Sequence, residues 1–522
     1  MRIKHVMFSM SIESPWNKNI SGTLFFLLMA FTVSAQLVQS GRLELPILDD
    51  QFEKVRAANL GENGMMLYRR IVGKKEDQIE LIKLDTALKE NWKGYITITK
   101  NLNLLRVQYR AEILFMLLKD RDYIGGDFQI VAVKLSNGNY GSYSVKNLIP
   151  FKPTEFIITN QAVMIGGYFN YTPIVLYYSF TLQRSKVLPG FFNAPGELDQ
   201  LKTYDDGSVD VIVSARNLEK RRSLWIRNYD SQGELVRTTI LQPEEGKNLI
   251  FGRSVKLPSG EQIVAGVYGR YTEYSRGIFV AGIDSVGQYS IKYYNFADLK
   301  NFFSYMKAKR QQRVKDRIER KTVHGKKIRF NYRFLIHDII PYQNQYIMAG
   351  EAFYPHYSYP NQYFSNYRSN PYSMMIPGFY SNPLVRSDLI FDGYQYTHAV
   401  VIGFDESGKL RWDNSFEIND IKTMQLEQFV EVRPEKDRIV LMYLFENKLR
   451  TKIIHNNEVL EGKNQDVIKT NYASETVEIR TIESEQLDHW YGSYFFAYGI
   501  QRLKHQAGST RRVFFINKIS YK

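Results

Sequence analysis

Of the side chains that could carry chemistry, histidine is the first to consider. Eight occur: His5 near the N-terminus, and His324, His337, His356, His398, His455, His489 and His505, with no HxxxH or HExxH spacing that would set two imidazoles on one metal ion. Cysteine is absent, which removes disulfides, thiolate metal sites and a cysteine nucleophile. No GxSxG elbow, Walker loop or GxGxxG is present, so no cofactor and no metal is expected. The acidic stretches FDESG at Phe404 and TYDDGSVD at Thr203 lack the alternating oxygen ligands and distal Glu of a calcium loop, and their Asp, Ser and Gly are what a hairpin turn requires. One acid-base candidate remains by position: His337 and Asp338, just before Ile339 in a segment expected to be an innermost strand. A structural hydrogen bond is the competing role for the pair.

Two segments could bind without reacting. Between Lys307 and Arg329 lie eleven bases (Lys307, Lys309, Arg310, Arg313, Lys315, Arg317, Arg320, Lys321, Lys326, Lys327 and Arg329) against only Asp316 and Glu319. Two acids cannot neutralise eleven bases through i,i+4 pairing, so an anionic partner is the binding reading and a solvated helix the bland one. The second segment, Ala352 to Gln395, carries Tyr354, Tyr357, Tyr359, Tyr363, Tyr367, Tyr372, Tyr380 and Tyr394 with few charges. Tyrosine offers flat apolar area plus a hydroxyl at low entropic cost, which suits recognition of glycan or polypeptide. A self-packed lid is the alternative for a loop this long.

The elements that must position these segments are strands. From Met65 to the C-terminus, alternating and β-branched or aromatic runs are bounded by Asn, Asp, Ser and Gly turns. A strand, turn and strand recur eight times, with turns near Asp85, Ser136, Phe180, Asp230, Asp284, Asp405, Asn456 and Asn517. Most steps are about 50 residues, the span of a four-stranded propeller blade. The step from Asp284 to Asp405 is 121 residues, and removing the basic stretch 297–329 (33 residues) and the Tyr-rich stretch 352–395 (44 residues) leaves 44. The expectation is an all-β chain: a β-propeller of about eight four-stranded blades over 36–522, with a basic helical insertion and a Tyr-rich loop insertion. Seven blades or two packed sandwiches are the alternatives. RLELPIL from Arg42 is expected to supply the last blade's fourth strand and so close the ring. One insertion follows an outer strand and the other joins second to third strands, so both should decorate one face, over blades five and six.

FDESGKLRW (Phe404 to Trp412) and LDTALKENW (Leu84 to Trp92) resemble the blade motif of bacterial quinoprotein-type propellers, in which an Asp-bearing turn leads to a Trp between blades. The resemblance implies a propeller, and the missing cysteine pair directs it to the non-enzymatic scaffolds of that superfamily rather than to its dehydrogenases.

At the N-terminus, Arg2, Lys4 and Lys18 precede the apolar run Leu24 to Val33 and the small residues Val33-Ser34-Ala35. This reads as a signal peptide over 1–35, since about ten apolar residues fall short of the roughly 20 that span a bilayer. An exported chain without disulfides suits the periplasm or surface of a bacterium. The net charge of +15 favours anionic partners. The expected function is a non-enzymatic binding or scaffold protein of the cell envelope, docking an envelope protein, a glycan or an anionic membrane surface. The alternative is a carbohydrate-active propeller with carboxylates at the channel mouth. Nucleic acid is a remote third, because no nucleic-acid motif accompanies the charge.

Overall fold

A computed structural model describes residues 37–47, 55–190, 195–326, 328–358, 390–479 and 484–521. The segment expected to be a signal peptide lies outside the described residues. Eight antiparallel sheets follow one another along the chain. Blade 1 begins at Arg56–Asn59, blade 2 at Leu102–Arg110, blade 3 at Lys152–Ile158 and blade 4 at Gly196–Thr203. Blade 5 begins at Asn248–Lys256, blade 6 at Arg333–Ile336, blade 7 at Glu431–Pro434 and blade 8 at Glu475–Val477. Blades 1 to 7 run outward from their first strands in sequence order, blade 8 takes its outermost strand from Leu37–Pro46, and the first strands of neighbouring blades lie side by side around a central channel. The chain is therefore an eight-bladed β-propeller.

The sequence pattern explains the layering. Second strands such as Ala162–Phe169 and Gln262–Gly269 are apolar on both faces because each is covered by a neighbouring blade on either side. Outer strands such as Tyr289–Asn295 have no buried residue and are exposed or half-buried along their length. Buried side chains gather in eight clusters, each shared by two adjacent blades. Both motif tryptophans sit at such interfaces. Trp92 donates from Nε1 to Leu135 O at 2.8 Å, joining blade 1 to blade 2. Trp412 is 4% exposed and lies so close to Gly403 that a Cβ there would be 2.2 Å from its indole. The Asp turns are hairpin turns: Asp405 Oδ1 accepts from Ser407 Oγ at 2.7 Å and Lys409 N at 2.9 Å.

The strand Leu37–Pro46 pairs antiparallel with Thr510–Tyr521 and completes blade 8, as the truncated last repeat predicts. Arg42 is the centre of this clasp. It donates to Asn517 Oδ1 at 2.6 Å, Gln501 Oε1 at 3.2 Å and Glu44 Oε1 at 2.5 Å, and lies over the Phe515 ring. Asn517 departs from the repeat reading: it sits inside the strand Thr510–Tyr521, 1% exposed, because its amide serves the clasp rather than a turn.

Two further boundaries change. Among the described residues of 297–329, Ala308–Val323 is the α-helix, and Leu299, Phe302 and Phe303 before it are core. The two ends of 352–395 are not loop: the second and third strands of blade 6 run on to Gln345–Ser358 and Ile390–Phe404 as one long hairpin arm.

Arg42→Ala is expected to leave Asn517 and Gln501 without their buried partner and cost about 1–3 kcal/mol. Removal of residues 1–47 should lower the melting temperature by at least about 5 °C and expose the edge of Thr510–Tyr521 to aggregation. Thermal melts with light scattering check both.

Candidate functional site

The basic helix stands on a built foundation. Asn295 ends the outer strand of blade 5, and its Oδ1 accepts from Ala297 N at 3.0 Å while Asp298 Oδ2 accepts from Asn295 N at 2.8 Å. Phe296, Leu299, Phe302 and Phe303 then enter the cluster between blades 5 and 6. Lys300 N and Asn301 N donate to the Asp413 carboxylate at 3.0 and 2.7 Å, fastening the segment to the outer strand of blade 6.

The helix Ala308–Val323 has no buried residue. Gln311, Val314, Ile318 and Lys321 form its half-buried face, and Val314 and Ile318 touch the core cluster. Lys307, Lys309, Arg310, Arg313, Lys315, Arg317 and Arg320 are all exposed. Asp316 accepts from Gln312 Nε2 at 2.7 Å, and among the described residues no ion pair joins a base of this helix to a carboxylate. Lys309 and Arg310 stand in the first turn with no acid there, against the positive end of the helix dipole. Lys326 and Arg329 follow the helix, exposed; Lys327 lies outside the described residues.

Of the arm, Tyr354 is exposed and Tyr357 half-buried against Phe391, with ring centroids 5.9 Å apart. Tyr359, Tyr363, Tyr367, Tyr372 and Tyr380 lie outside the described residues. Tyr394 packs edge-on to Phe391 at 5.0 Å and to Phe353 at 5.6 Å.

The roots of the two insertions meet at His398, which pairs with Ala352 at the base of the arm. Its imidazole is fully buried and lies flat on Tyr305 just before the helix, centroids 3.7 Å apart and planes 5° from parallel. Phe302 and Tyr332 meet the imidazole edge-on. Burial pushes the His398 imidazole down to about 3, so it is neutral in the folded protein, with Nδ1 facing Thr397 Oγ1 at 2.9 Å.

Sequence reading missed a third contributor, the blade 5 loop Arg270–Arg276. Ser275 and Tyr332 form a β-bridge, and Ser275 Oγ donates to Tyr332 O at 2.8 Å. Tyr271 and Tyr274 are 65% and 41% exposed, with Arg270 over the first ring and Arg333 over the second. Burial lowers the Arg276 guanidinium, and the like charges of Arg329 and Arg270 add to it. The signal was the alternation of arginine and tyrosine in RYTEYSR. A small recess opens here, with space for about one water molecule, lined by Phe251, Val267, Phe334 and Leu335 together with Glu273 and Arg333.

His337 and Asp338 fall where the first strand of blade 6 breaks between Ile336 and Ile340, and they point to different partners. His337 is buried and hydrogen-bonds Glu351 Oε1 at 2.8 Å; Glu351, fully buried, also accepts from Phe429 N and Val430 N at 2.9 Å. This is a structural clamp between blades 6 and 7. Asp338 is exposed, 3.5 Å from Arg253 of blade 5. Carboxyls raised by burial lie elsewhere, on the inner strands of blades 7 and 8. Burial pushes the Glu431 carboxyl up to about 7, with Asp488 adding to the effect and His337 opposing it. Burial also raises Asp488, and raises Tyr498 beside it. Tyr68 adds electrostatically to the rise of Tyr498 and is itself raised by burial, opposed by Arg56 and Arg106. These groups come from blades 1, 2, 7 and 8, brought together by ring closure alone.

No family model matches the chain and no curated protein matches it. Among solved structures it is similar to the Dos1 propeller, at 12% identity over 80% of this chain and 92% of that chain, TM-score 0.37. It is similar to the β-propeller domain of the Trilobed protease from Pyrococcus furiosus, at 8% identity over 80% of this chain and 93% of that chain, TM-score 0.34. Polysaccharide lyase Uly1 matches at 10% identity over 79% of this chain and 89% of that chain, TM-score 0.39. Likeness at this level is of fold alone.

Because Glu431 ionises near 7 when folded and at its ordinary 4.5 when unfolded, the folded state holds the extra proton between those values. Its contribution is full below about 4.5 and is lost as pH rises toward 7. Glu431→Gln is expected to flatten that part of the stability profile and to raise stability at pH 8 by about 1–2 kcal/mol. Urea unfolding at pH 5, 6, 7 and 8 measures it.

Proposed function

We propose that this propeller is an exported, non-enzymatic binding protein of a bacterial envelope that docks an anionic partner through the face carrying the basic helix, the arm root and the Arg270–Arg276 loop. The observation that carries the reading is the set of exposed helix bases with no carboxylate partner among the described residues. Such a surface is held at an electrostatic cost that an anionic partner relieves. The leader pattern of residues 1–35 supports export, and an exported chain without cysteine suits the periplasm or surface of a bacterium. The quinoprotein-type blade motif without the cysteine pair supports a scaffold role.

Replacing Lys309, Arg310, Arg313, Lys315, Arg317 and Arg320 by Gln is expected to weaken binding to acidic polypeptide, acidic polysaccharide or anionic vesicles by at least about tenfold, since none of these side chains is buried. The melting temperature should change by no more than about 2 °C. Wild-type binding should fall as salt rises from 50 to 300 mM. Unchanged affinity in the six-residue variant would remove the basis for this reading, and fractionation with N-terminal sequencing of the mature chain tests export.

The second reading, a carbohydrate-active ring, is favoured by one arrangement: a carboxyl that is protonated near neutrality, Glu431, beside a second carboxyl, Asp488, in the channel wall. Under it, turnover of an envelope glycan is abolished in Glu431→Gln and retained in the helix variant. Under the docking reading neither protein turns over any glycan in the same screen.

A further inference from the structure

The antiparallel order of the strands sorts every connection of the ring onto one of its two faces. Loops between second and third strands emerge with the links from one blade to the next, on the face that carries the basic helix and the arm. Turns joining first to second and third to fourth strands emerge on the opposite face.

Charge divides along this line. On the opposite face acids outnumber bases, because the turns there use Asp as a local acceptor: Asp85, Asp206, Asp230 and Asp284 each accept from the backbone N–H two residues on. The helix face holds the bases of Lys307 to Arg329. Around the rest of that face acids and bases nearly balance among the described residues.

Apolar exposure divides along the same line. Val72, Ile124, Tyr171, Leu218 and Tyr271 stand in the second-to-third-strand loops of blades 1 to 5, each more than half exposed. Met424 and Tyr472 continue the series in the links from blade 6 to blade 7 and from blade 7 to blade 8. Exposed Lys75, Arg121 and Lys220 share the loops of Val72, Ile124 and Leu218. In the turns of the opposite face, the exposed large apolar residues among the described ones are Leu182 and Val286.

Apolar residues scattered singly over a surface need no partner, but these are gathered on one face and spread around the ring. A soluble polyanion would need the bases and not the apolar tips. A peptide or glycan chain lying along one groove would leave most of the tips in water. A bilayer meets them together, since its interfacial region takes up apolar and aromatic side chains while anionic headgroups attract Lys and Arg. The acidic turns, repelled by the same surface, favour the pose with the helix face toward it.

We infer that this face seats on an anionic phospholipid bilayer, with the basic helix against the headgroups, the apolar loop tips among them and the acidic turns in solvent. This rests on the docking reading and names its partner.

The test uses the full chain with vesicles of phosphatidylglycerol and phosphatidylethanolamine. Because the chain contains no cysteine, Leu218→Cys, Ile124→Cys and Val286→Cys can each be labelled with a single polarity-sensitive nitrobenzoxadiazole dye. On vesicles the emission is expected to rise at least about twofold at positions 218 and 124 and to stay unchanged at 286. Combining Val72→Ser, Ile124→Ser and Leu218→Ser should weaken vesicle binding at least about tenfold and leave binding of polyglutamate unchanged. Leu182→Ser with Val286→Ser should leave vesicle binding as in wild type. Circular dichroism shows which variants fold, and the single-dye proteins keep the test decisive if the triple variant does not. A dye at 218 that stays in water on vesicles, an equal response at 286, or a folded triple variant with wild-type vesicle affinity overturns the inference. Binding of polyglutamate or acidic polysaccharide without binding of vesicles also overturns it and leaves the docking reading in place. If vesicles, polyglutamate and polysaccharide all fail to bind, the docking reading falls with it.

Discussion

Every apolar interior surface of this ring is shared between two blades. No four-stranded sheet here owns a core: the residues of each cluster come from one sheet and its neighbour, and the last cluster closes blade 8 onto blade 1 through Met65, Leu67, Phe496 and Phe514. Stability is therefore a property of closure. The backbone clasp Leu37–Pro46, the buried Arg42 network and the Trp490 indole donating to Gly64 O at 3.0 Å all act at the single seam where the covalent chain does not carry the ring forward. A ring without disulfides relies on that seam more than on any individual blade.

The same constraint decides where extra chain can be inserted. Insertions within a ladder would break the shared clusters, whereas connections at the sheet ends are free to lengthen. The basic segment lengthens one such connection, yet it is not simply looped out: Phe296, Phe302 and Phe303 extend the cluster between blades 5 and 6 before the helix begins. The arm lengthens another by continuing two strands in register, so its root inherits the ladder hydrogen bonds of blade 6. The charged helix needs this anchorage because its own sequence gives it little. It lacks a side-chain N-cap, has bases in its first turn and contributes only Val314 and Ile318 to the apolar interior.

What was legible in the sequence was what repeats locally. Blade number, the Asp turns, the tryptophans between blades and the closing strand all leave a mark within about 50 residues, because each is set by alternation and turn chemistry. What was illegible was assembled across blades. Glu351 is 14 residues from His337 and 78 from Phe429, and only the pairing of the second strand of blade 6 beside blade 7 makes one clamp of them. Glu431, Asp488, Tyr498 and Tyr68 come from opposite ends of the chain. Asn517 looked like a turn residue because Asn is frequent in turns, and the clasp that buries it lies 475 residues away at Arg42. The RYTEYSR loop was visible as residues but not as a neighbour of the basic helix, since that adjacency depends on Tyr332 bridging to Ser275.

Under the docking reading, the joint between the insertions bears on affinity. Flexible charged segments lose entropy when a partner orders them, and that loss subtracts from affinity. Here the helix root and the arm root share one aromatic box, in which Tyr305 covers the His398 imidazole and Phe302 and Tyr332 meet its edges. His398 can occupy that box only as a neutral ring, because Nε2 is buried with no hydrogen-bond partner among the described residues and a charge there would be unsolvated. The depressed imidazole thus follows from an enclosed aromatic mount. That mount joins the helix root and the arm root at neutral and mildly acidic pH.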